Sequence, residues 1–207
     1  MVDGFRESTP SWRELRLDLK RRGLEAAPKL GLGDGAMGFS AALHEVYGKT
    51  RVQRCWVQKT ANVLNAMPKS VQLKAKAHMN DTGMADIKTG ADSGLDFFVK
   101  AYGVKYDRAV KCLTKDRADL LAFHDFQAEH WKHIGTTNPI EITFGTVRNR
   151  TIKTKGCLSR QMALAMSQQL MLTAKKKWRT LGGQNRLPEF IQGVEFRDGI
   201  NHEIKVA

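Results

Sequence analysis

Two acidic residues, Asp34 and Glu141, have the side chains and spacing that suit metal-dependent chemistry. Asp34 directly follows a short stretch that can form a strand, and catalytic groups gather at strand ends in α/β sheets. Glu141 closes the segment 136–141, where a helix is predicted to begin. Mg²⁺ prefers oxygen ligands, and phosphoryl-transfer sites use carboxylates from separate elements to hold two metal ions about 4 Å apart. The pair therefore suits a two-metal site for phosphoryl transfer.

Each acid also has a purely structural alternative. An Asp-Gly dipeptide such as Asp34-Gly35 is common in turns. If Asn138 is the N-cap and Pro139 the first helical residue, Glu141 falls at the reach-back position of a capping box. Capping and metal binding are compatible, because both place a carboxylate near a helix N-terminus, so both alternatives stay open.

Basic residues are segregated along the chain, whose net charge is +13 and whose pI is about 9.9. Residues 46–77 contain seven Lys or Arg and no acid, and residues 142–188, directly after Glu141, contain ten and no acid. Such blocks attract phosphate backbones by counterion release. The alternative is a solvated basic surface without a specific partner. We expect nucleic-acid contact, with Arg148, Arg150, Lys153 and Lys155 as the preferred contacts to backbone phosphates.

The elements that must position these residues change in character along the chain. A strand over 29–33, a helix to about residue 47 and a strand over 51–57 predict an α/β layer with parallel strands. After residue 58 the apolar spacing is helical only, although the glycines within residues 80–94 weaken a helix there. A helix resumes at Pro139, and a long amphipathic one covers 158–181, with its methionines interpreted as core packing: Met162, Met166 and Met171.

Composition excludes a membrane protein and a disulfide scaffold. The chain has 42% hydrophobic residues, and no apolar stretch approaches the roughly 20 residues of a membrane helix. The N-terminus lacks the apolar run of a signal peptide. Three widely spaced cysteines, Cys55, Cys112 and Cys157, fit a reducing compartment. We expect a cytoplasmic protein.

Three segments of the sequence, in the same order along the chain, resemble the mutator-type bacterial insertion-sequence transposases. They are Gly33-Asp34-Gly35-Ala36-Met37-Gly38-Phe39, Gln53-Arg54-Cys55-Trp56-Val57-Gln58-Lys59-Thr60-Ala61-Asn62 and Thr136-Thr137-Asn138-Pro139-Ile140-Glu141. Further similarity runs through 17–24, 129–131 and 153–156, so the resemblance spans nearly the whole chain.

The resemblance implies a fold, a site and partners. The fold would be α/β: a partial RNase H-like catalytic fold with an all-α insertion between the second Asp and the Glu of an Asp-Asp-Glu triad. The expected parts are a core over 1–58, an insertion over 59–135, and the rest of the core with basic helices over 136–207. Asp34 matches the second Asp and Glu141 the Glu, holding two Mg²⁺ ions. The partners would be DNA at the element ends and at the target, and further copies of the intact protein. In and near the second segment, the expected DNA contacts are Arg51, Arg54 and Lys59.

Departures from the family pattern shape the functional prediction. The family's first Asp lies on a strand upstream of the block with which this sequence opens, so we expect a C-terminal fragment that is inactive alone. The family has a Cys-x-x-His motif, whereas this chain has Cys55 and, in place of the histidine, Gln58. A glutamine side chain cannot carry a proton as histidine can. The prediction is a DNA transposase; the alternatives are a non-catalytic DNA-binding or transposase-interacting remnant, and an RNase H-like nuclease unrelated to transposition.

Overall fold

A computed structural model describes residues 7–156, 159–178 and 180–202. These residues form a mixed α/β structure that is mostly helical. Two small sheets are present in this part of the chain: a parallel pair near its start and an antiparallel hairpin near its end. Within the same ranges, no helix has the length and apolar character needed to cross a bilayer.

The first third of the chain alternates helices and strands in the predicted order, although the second strand ends at Arg54 and not at residue 57 as predicted. In order, the elements are α1 (Thr9–Arg21), β1 (Leu30–Gly33), α2 (Met37–Val46) and β2 (Arg51–Arg54). Strands β1 and β2 are parallel, with Leu30 opposite Arg51 and Gly33 opposite Arg54. The predicted parallel α/β layer is therefore confirmed, and the carboxyl ends of both strands lie at the same edge.

A block of helices follows β2. Its helices are α3 (Trp56–Asn65), α4 (Lys69–Gly83), α5 (Lys88–Tyr102), α6 (Asp107–Thr114), α7 (Arg117–Leu120) and α8 (Trp131–Ile134), with single 3₁₀ turns at Ala122–Asp125 and Ala128–His130. One hydrophobic cluster lies inside this block, and its fully buried members include Val63, Met79, Leu95, Phe98, Leu113 and Leu120. Burial of these apolar faces stabilises the block.

The glycine-rich stretch within residues 80–94 is more helical than the sequence predicts. Helix α4 continues to Gly83, and α5 begins at Lys88 and includes Gly94. A Cβ built on Gly94 would lie 2.5 Å from the Thr82 hydroxyl oxygen, so glycine is what lets α5 lie this close to α4. The prediction of a weak helix here was wrong because close packing of two helices outweighs a glycine cost of about 1 kcal/mol.

The last third contains two longer helices and a short terminal hairpin. Its elements are α9 (Asn138–Lys153), α10 (Arg160–Lys175), a 3₁₀ turn at Gln184–Arg186, α11 (Leu187–Ile191), β3 (Phe196–Arg197) and β4 (Ile200–Asn201). The predicted boundaries between core, insertion and terminal part stay predictions, as does the RNase H-like character of the fold. Cys55 and Cys112 are free thiols, and Cys157 lies outside the described residues.

Candidate active site at the carboxyl edge of the parallel sheet

Asp34 lies immediately beyond β1, where it is exposed to solvent. Its Oδ1 accepts a hydrogen bond from the backbone N–H of Ala36 at 3.1 Å, which forms the turn into α2. Gly35 occupies the left-handed region with φ +98°, and a Cβ there would lie 2.5 Å from Cζ of Arg54. The structural alternative for Asp34, a turn residue, is thus confirmed, and it leaves the carboxylate at the open edge of the sheet.

Cys55 joins the end of β2 to the segment before α9. Its backbone N–H donates to the Gly33 carbonyl at 2.8 Å, which places it beside the residue that precedes Asp34. Its buried sulfur accepts a hydrogen bond from the backbone N–H of Thr137 at 3.3 Å, and the Thr137 hydroxyl oxygen lies 3.3 Å from the same sulfur. Burial alone would raise the pKa of the thiol, but hydrogen-bonding contacts with Thr137, with the Gln58 backbone and with the Thr136 hydroxyl together outweigh it and hold that pKa below its ordinary value.

Glu141 lies in the first turns of α9 and is exposed, but one of its oxygens is held firmly. Oε1 accepts from the Thr137 hydroxyl at 2.7 Å and from Nε2 of Gln58 at 2.8 Å. These hydrogen bonds, first from Thr137 and then from Gln58, hold the pKa of Glu141 below its usual range. The carboxylate is therefore ionised at neutral pH, and the N-terminus of α9 favours its negative charge.

The capping box expected at α9 is not formed. The helix begins at Asn138 with Thr137 as its N-cap, so Glu141 falls one position beyond the reach-back position. Its carboxylate accepts from the Thr137 side chain instead of a backbone N–H. The prediction of Asn138 as N-cap was wrong by one residue, because the hydrogen bond from the Thr137 backbone N–H to the Cys55 sulfur places the helix start.

The side chains of Arg54 and Lys59, two of the expected DNA contacts, point into the protein. Nε of Arg54 donates to Oδ2 of Asp116 at 3.2 Å, and Nζ of Lys59 donates to the same oxygen at 2.6 Å. Lys59 has no exposed surface and Arg54 is 5% exposed. Burial would raise the pKa of Asp116, but Lys59, Lys115 and Arg54 together lower it overall. Asp116 is therefore an ionised counterion for the two buried cations. In this geometry neither cation can meet a DNA phosphate.

The remaining expected DNA contacts lie on the surface. Arg51 is exposed and pairs with Asp125. The other four side chains are exposed on α9 and just after it, and the structure as described gives them no ion pair: Arg148, Arg150, Lys153 and Lys155. They are thus free to meet an anion, and their contact with DNA stays a prediction.

Asp34 and Glu141 are the right type of residue to bind Mg²⁺, but they are only two carboxylates. Asp34 and Glu141 offer exposed carboxylate oxygens, which is the chemistry that Mg²⁺ requires. Across residues 7–156, 159–178 and 180–202, no group of three or more His, Cys, Asp or Glu side chains could hold a metal ion. The role of Asp34 and Glu141 as metal ligands stays a prediction.

Sequence reasoning missed two parts of this edge. Thr136 and Thr137 belong to the segment 136–141 that resembles the family. Their position in that segment could have predicted their contacts with Cys55 and Glu141. Asp116 stands 62 residues from Arg54 and had no local signal, since an internal counterion is defined only by the folded chain.

Comparisons with known proteins identify the family of this chain. The family described as "Transposase, Mutator family" matches residues 2–180. The chain is 52% identical over 198 residues to the transposase for insertion sequence element IST2 of Acidithiobacillus ferrooxidans, covering 96% of this chain and 67% of the relative. It is 44% identical over 199 residues to the transposase for IS6120 of Mycolicibacterium smegmatis, covering 96% of this chain and 61% of the relative. It is also 28% identical over 170 residues to the transposase for ISRM5 of Rhizobium meliloti, covering 78% and 42%.

The chain thus spans about two thirds of the length of the first two relatives and less than half of the third. The family match covers most of the sequence, including Asp34, the segment from Gln53 to Asn62 and Glu141. This protein belongs to the Mutator family of transposases.

Proposed function

We propose that this chain contributes to a transposase that cuts and joins DNA at insertion-element ends, with Asp34 and Glu141 as Mg²⁺ ligands. The observation that carries the proposal is the set of contacts linking the ends of β1 and β2 to Glu141. The Gly33 carbonyl meets Cys55, the Cys55 sulfur meets Thr137, and the Thr137 hydroxyl meets Glu141. The names of the relatives support the same activity.

Mg²⁺ at this edge would supply charge stabilisation for the attacking and leaving oxygens of a phosphodiester. The chain's own residues would do the rest. Asp34 and Glu141 present carboxylate oxygens as metal ligands, and the two hydrogen bonds that Glu141 accepts lower its pKa further, so it stays ionised at neutral pH. The exposed cations that follow Glu141 along α9 would hold the DNA backbone, positioning the strand without reading its sequence.

An RNase H-like layout is part of this proposal. The parallel pair β1–β2 leads into a block of helices, and the chain returns to the same sheet edge at Thr136 and Thr137. A helical insertion between the second Asp and the Glu would give this order of elements. The proposed partners of the whole protein are DNA and further copies of the transposase.

A second proposal concerns the chain by itself: it binds DNA without cutting it. The observation behind this is that the described part of the chain offers no cluster of three metal-binding side chains. Two carboxylates neutralise less of the repulsion between two Mg²⁺ ions than three do.

The ligand assignment is tested by Mn²⁺ binding to the purified chain, followed by electron paramagnetic resonance. Asp34→Asn and Glu141→Gln should each weaken binding, whereas Asp107→Asn, at an exposed carboxylate on α6, should not. Equal binding by all four proteins would overturn the assignment. Nicking of DNA carrying element ends by the purified chain with Mg²⁺, if abolished by Asp34→Ala, would overturn the second proposal.

A further inference from the structure

The carboxylate of Glu141 is held asymmetrically. Both hydrogen bonds that it accepts fall on Oε1, from the Thr137 hydroxyl at 2.7 Å and from Gln58 Nε2 at 2.8 Å. Oε2 accepts none from the part of the chain that the structure describes. One oxygen is thus fixed to the protein, while the other has no such partner on a side chain that is exposed to solvent.

The orientation of the Gln58 amide follows from chemistry. An ionised carboxylate only accepts hydrogen bonds, so the nearer atom of the amide must be its NH₂ group. Bonds of this kind to a charged acceptor are shorter and stronger than neutral ones. The single hydroxyl proton of Thr137 goes to Glu141, because its 2.7 Å contact is shorter than the 3.3 Å contact to the Cys55 sulfur.

The two donors come from elements that are themselves anchored. Gln58 lies in the first turn of α3, and this helix begins directly after Cys55, the residue that follows β2. Thr137 is the N-cap of α9 and is fixed to the Cys55 sulfur through its backbone N–H. Both donors therefore keep a constant position relative to the sheet edge, and a shared acceptor between them has little freedom to rotate.

We infer that Gln58 and Thr137 are positioning residues that hold Oε1 of Glu141 and present Oε2 to the cation as a monodentate ligand. This inference rests on the proposed role of Glu141 as a metal ligand. It also gives Gln58 a role of its own in this chain, since an amide donates to Oε1 without carrying a proton. Hydrogen-bond partners of metal ligands typically change metal affinity by about 10- to 100-fold when removed.

The test compares Mn²⁺ affinity of the wild-type chain with that of variants matched in shape. Gln58→Met keeps the length of the side chain and removes the donor; we expect affinity to fall on the order of 10-fold. Gln58→His returns an N–H donor at similar reach and should recover most of the affinity. Gln72→Met is the control, because the Gln72 amide also donates hydrogen bonds, to the carbonyls of Leu64 and Met67, but does not touch Glu141.

Two outcomes overturn the inference. The first is a Gln58→Met chain that binds Mn²⁺ like the wild type while Glu141→Gln binds more weakly. The second is seen without metal: the side-chain amide signals of Gln58 in a ¹⁵N nuclear magnetic resonance spectrum should shift in Glu141→Gln, and signals that stay in place mean that the hydrogen bond is absent.

Failure of the proposed function gives a different pattern. If neither Asp34→Asn nor Glu141→Gln changes Mn²⁺ affinity, the ligand assignment is wrong. The metal-free amide signals then decide the positioning role of Gln58 on their own.

Discussion

Arg54 and Asp116 meet across 62 residues of sequence, with Nε of the guanidinium 3.2 Å from Oδ2 of the carboxylate. Lys59 donates to the same oxygen at 2.6 Å. On its other side the Arg54 guanidinium lies against Gly35, next to Asp34. A carboxylate from the helical block thus supports, through Arg54, the turn that carries a proposed metal ligand.

Asp116→Ala should therefore be strongly destabilising. It leaves Lys59, which has no exposed surface, and the buried Arg54 without their anion. Removing one partner of a buried pair costs about 3–5 kcal/mol, and we expect the lower end because the Asp116 side chain is 21% exposed. The free energy of unfolding from urea titration measures this loss.

Two further variants serve as controls for Asp116→Ala. Lys59→Met should cost less, since Asp116 keeps Arg54 as its partner. Asp107→Ala removes the exposed pair with Lys111 and should leave the unfolding midpoint unchanged. A loss for Asp116→Ala no larger than that for Asp107→Ala would show that the internal pairing is unimportant.

Gly35→Ala should be worse than a glycine replacement at a similar backbone angle in open space. Both Gly35 (φ +98°) and Gly23 (φ +109°) are left-handed, so each Ala variant pays about 1–2 kcal/mol for the backbone. Only at Gly35 would the new Cβ meet the Arg54 guanidinium, 2.5 Å from Cζ; at Gly23 nothing in the described structure lies within 4 Å. The clash should add at least about 1 kcal/mol.

Thermal unfolding of the two glycine variants measures the difference. Equal losses in Gly35→Ala and Gly23→Ala would mean that the Arg54 guanidinium moves aside freely. In that case Arg54 does not hold the Asp34 turn in place.

The parts of the site that follow from local pattern were predictable from the sequence. The strand signals of β1 and β2, and the turn at Asp34, depend on neighbouring residues. Asp116 was not predictable, because its partners are distant in sequence. Met162, interpreted as core, is 53% exposed, and that interpretation was wrong: amphipathic spacing predicts the helix but not what packs on its apolar face.

Histidine burial should make the protein less stable in mild acid. His124 is fully buried, and neither ring nitrogen has a hydrogen-bond partner among the described residues. Burial is the main cause that lowers the pKa of His124; Lys88 lowers it further, while Asp198 and Asp125 act to raise it. The folded chain thus keeps this histidine neutral where the unfolded chain, with a pKa near 6.5, binds a proton.

The sign of the pH effect follows from that difference. The stability is present above pH of about 6.5 and is lost as pH falls from there toward the lowered pKa of the folded state. Within this window each pH unit removes up to about 1.4 kcal/mol. His124→Leu should flatten the dependence of the melting temperature between pH 7.5 and 5.5, and a slope equal to that of the wild type would contradict the assignment to His124.

DNA binding by α9 should appear in the salt dependence of affinity. Arg148, Arg150 and Lys153 are exposed on this helix, and the structure as described gives them no acidic partner. Each phosphate contact contributes about −0.9 to the slope of log affinity against log salt concentration, so replacing all three with Ala should make the slope less steep by up to about 3. Fluorescence anisotropy with duplex DNA at several salt concentrations measures both slopes.

The matched control is the triple Ala replacement of Lys175, Lys176 and Lys177, three exposed cations at the end of α10. It removes the same net charge, so a long-range electrostatic effect would be equal in the two variants, whereas direct phosphate contacts would be lost only in the α9 variant. We therefore expect a clearly smaller slope change in the α10 variant. Identical slope changes would mean that DNA affinity depends on the total charge of the chain. The cations of α9 would then not make direct contacts with DNA phosphates.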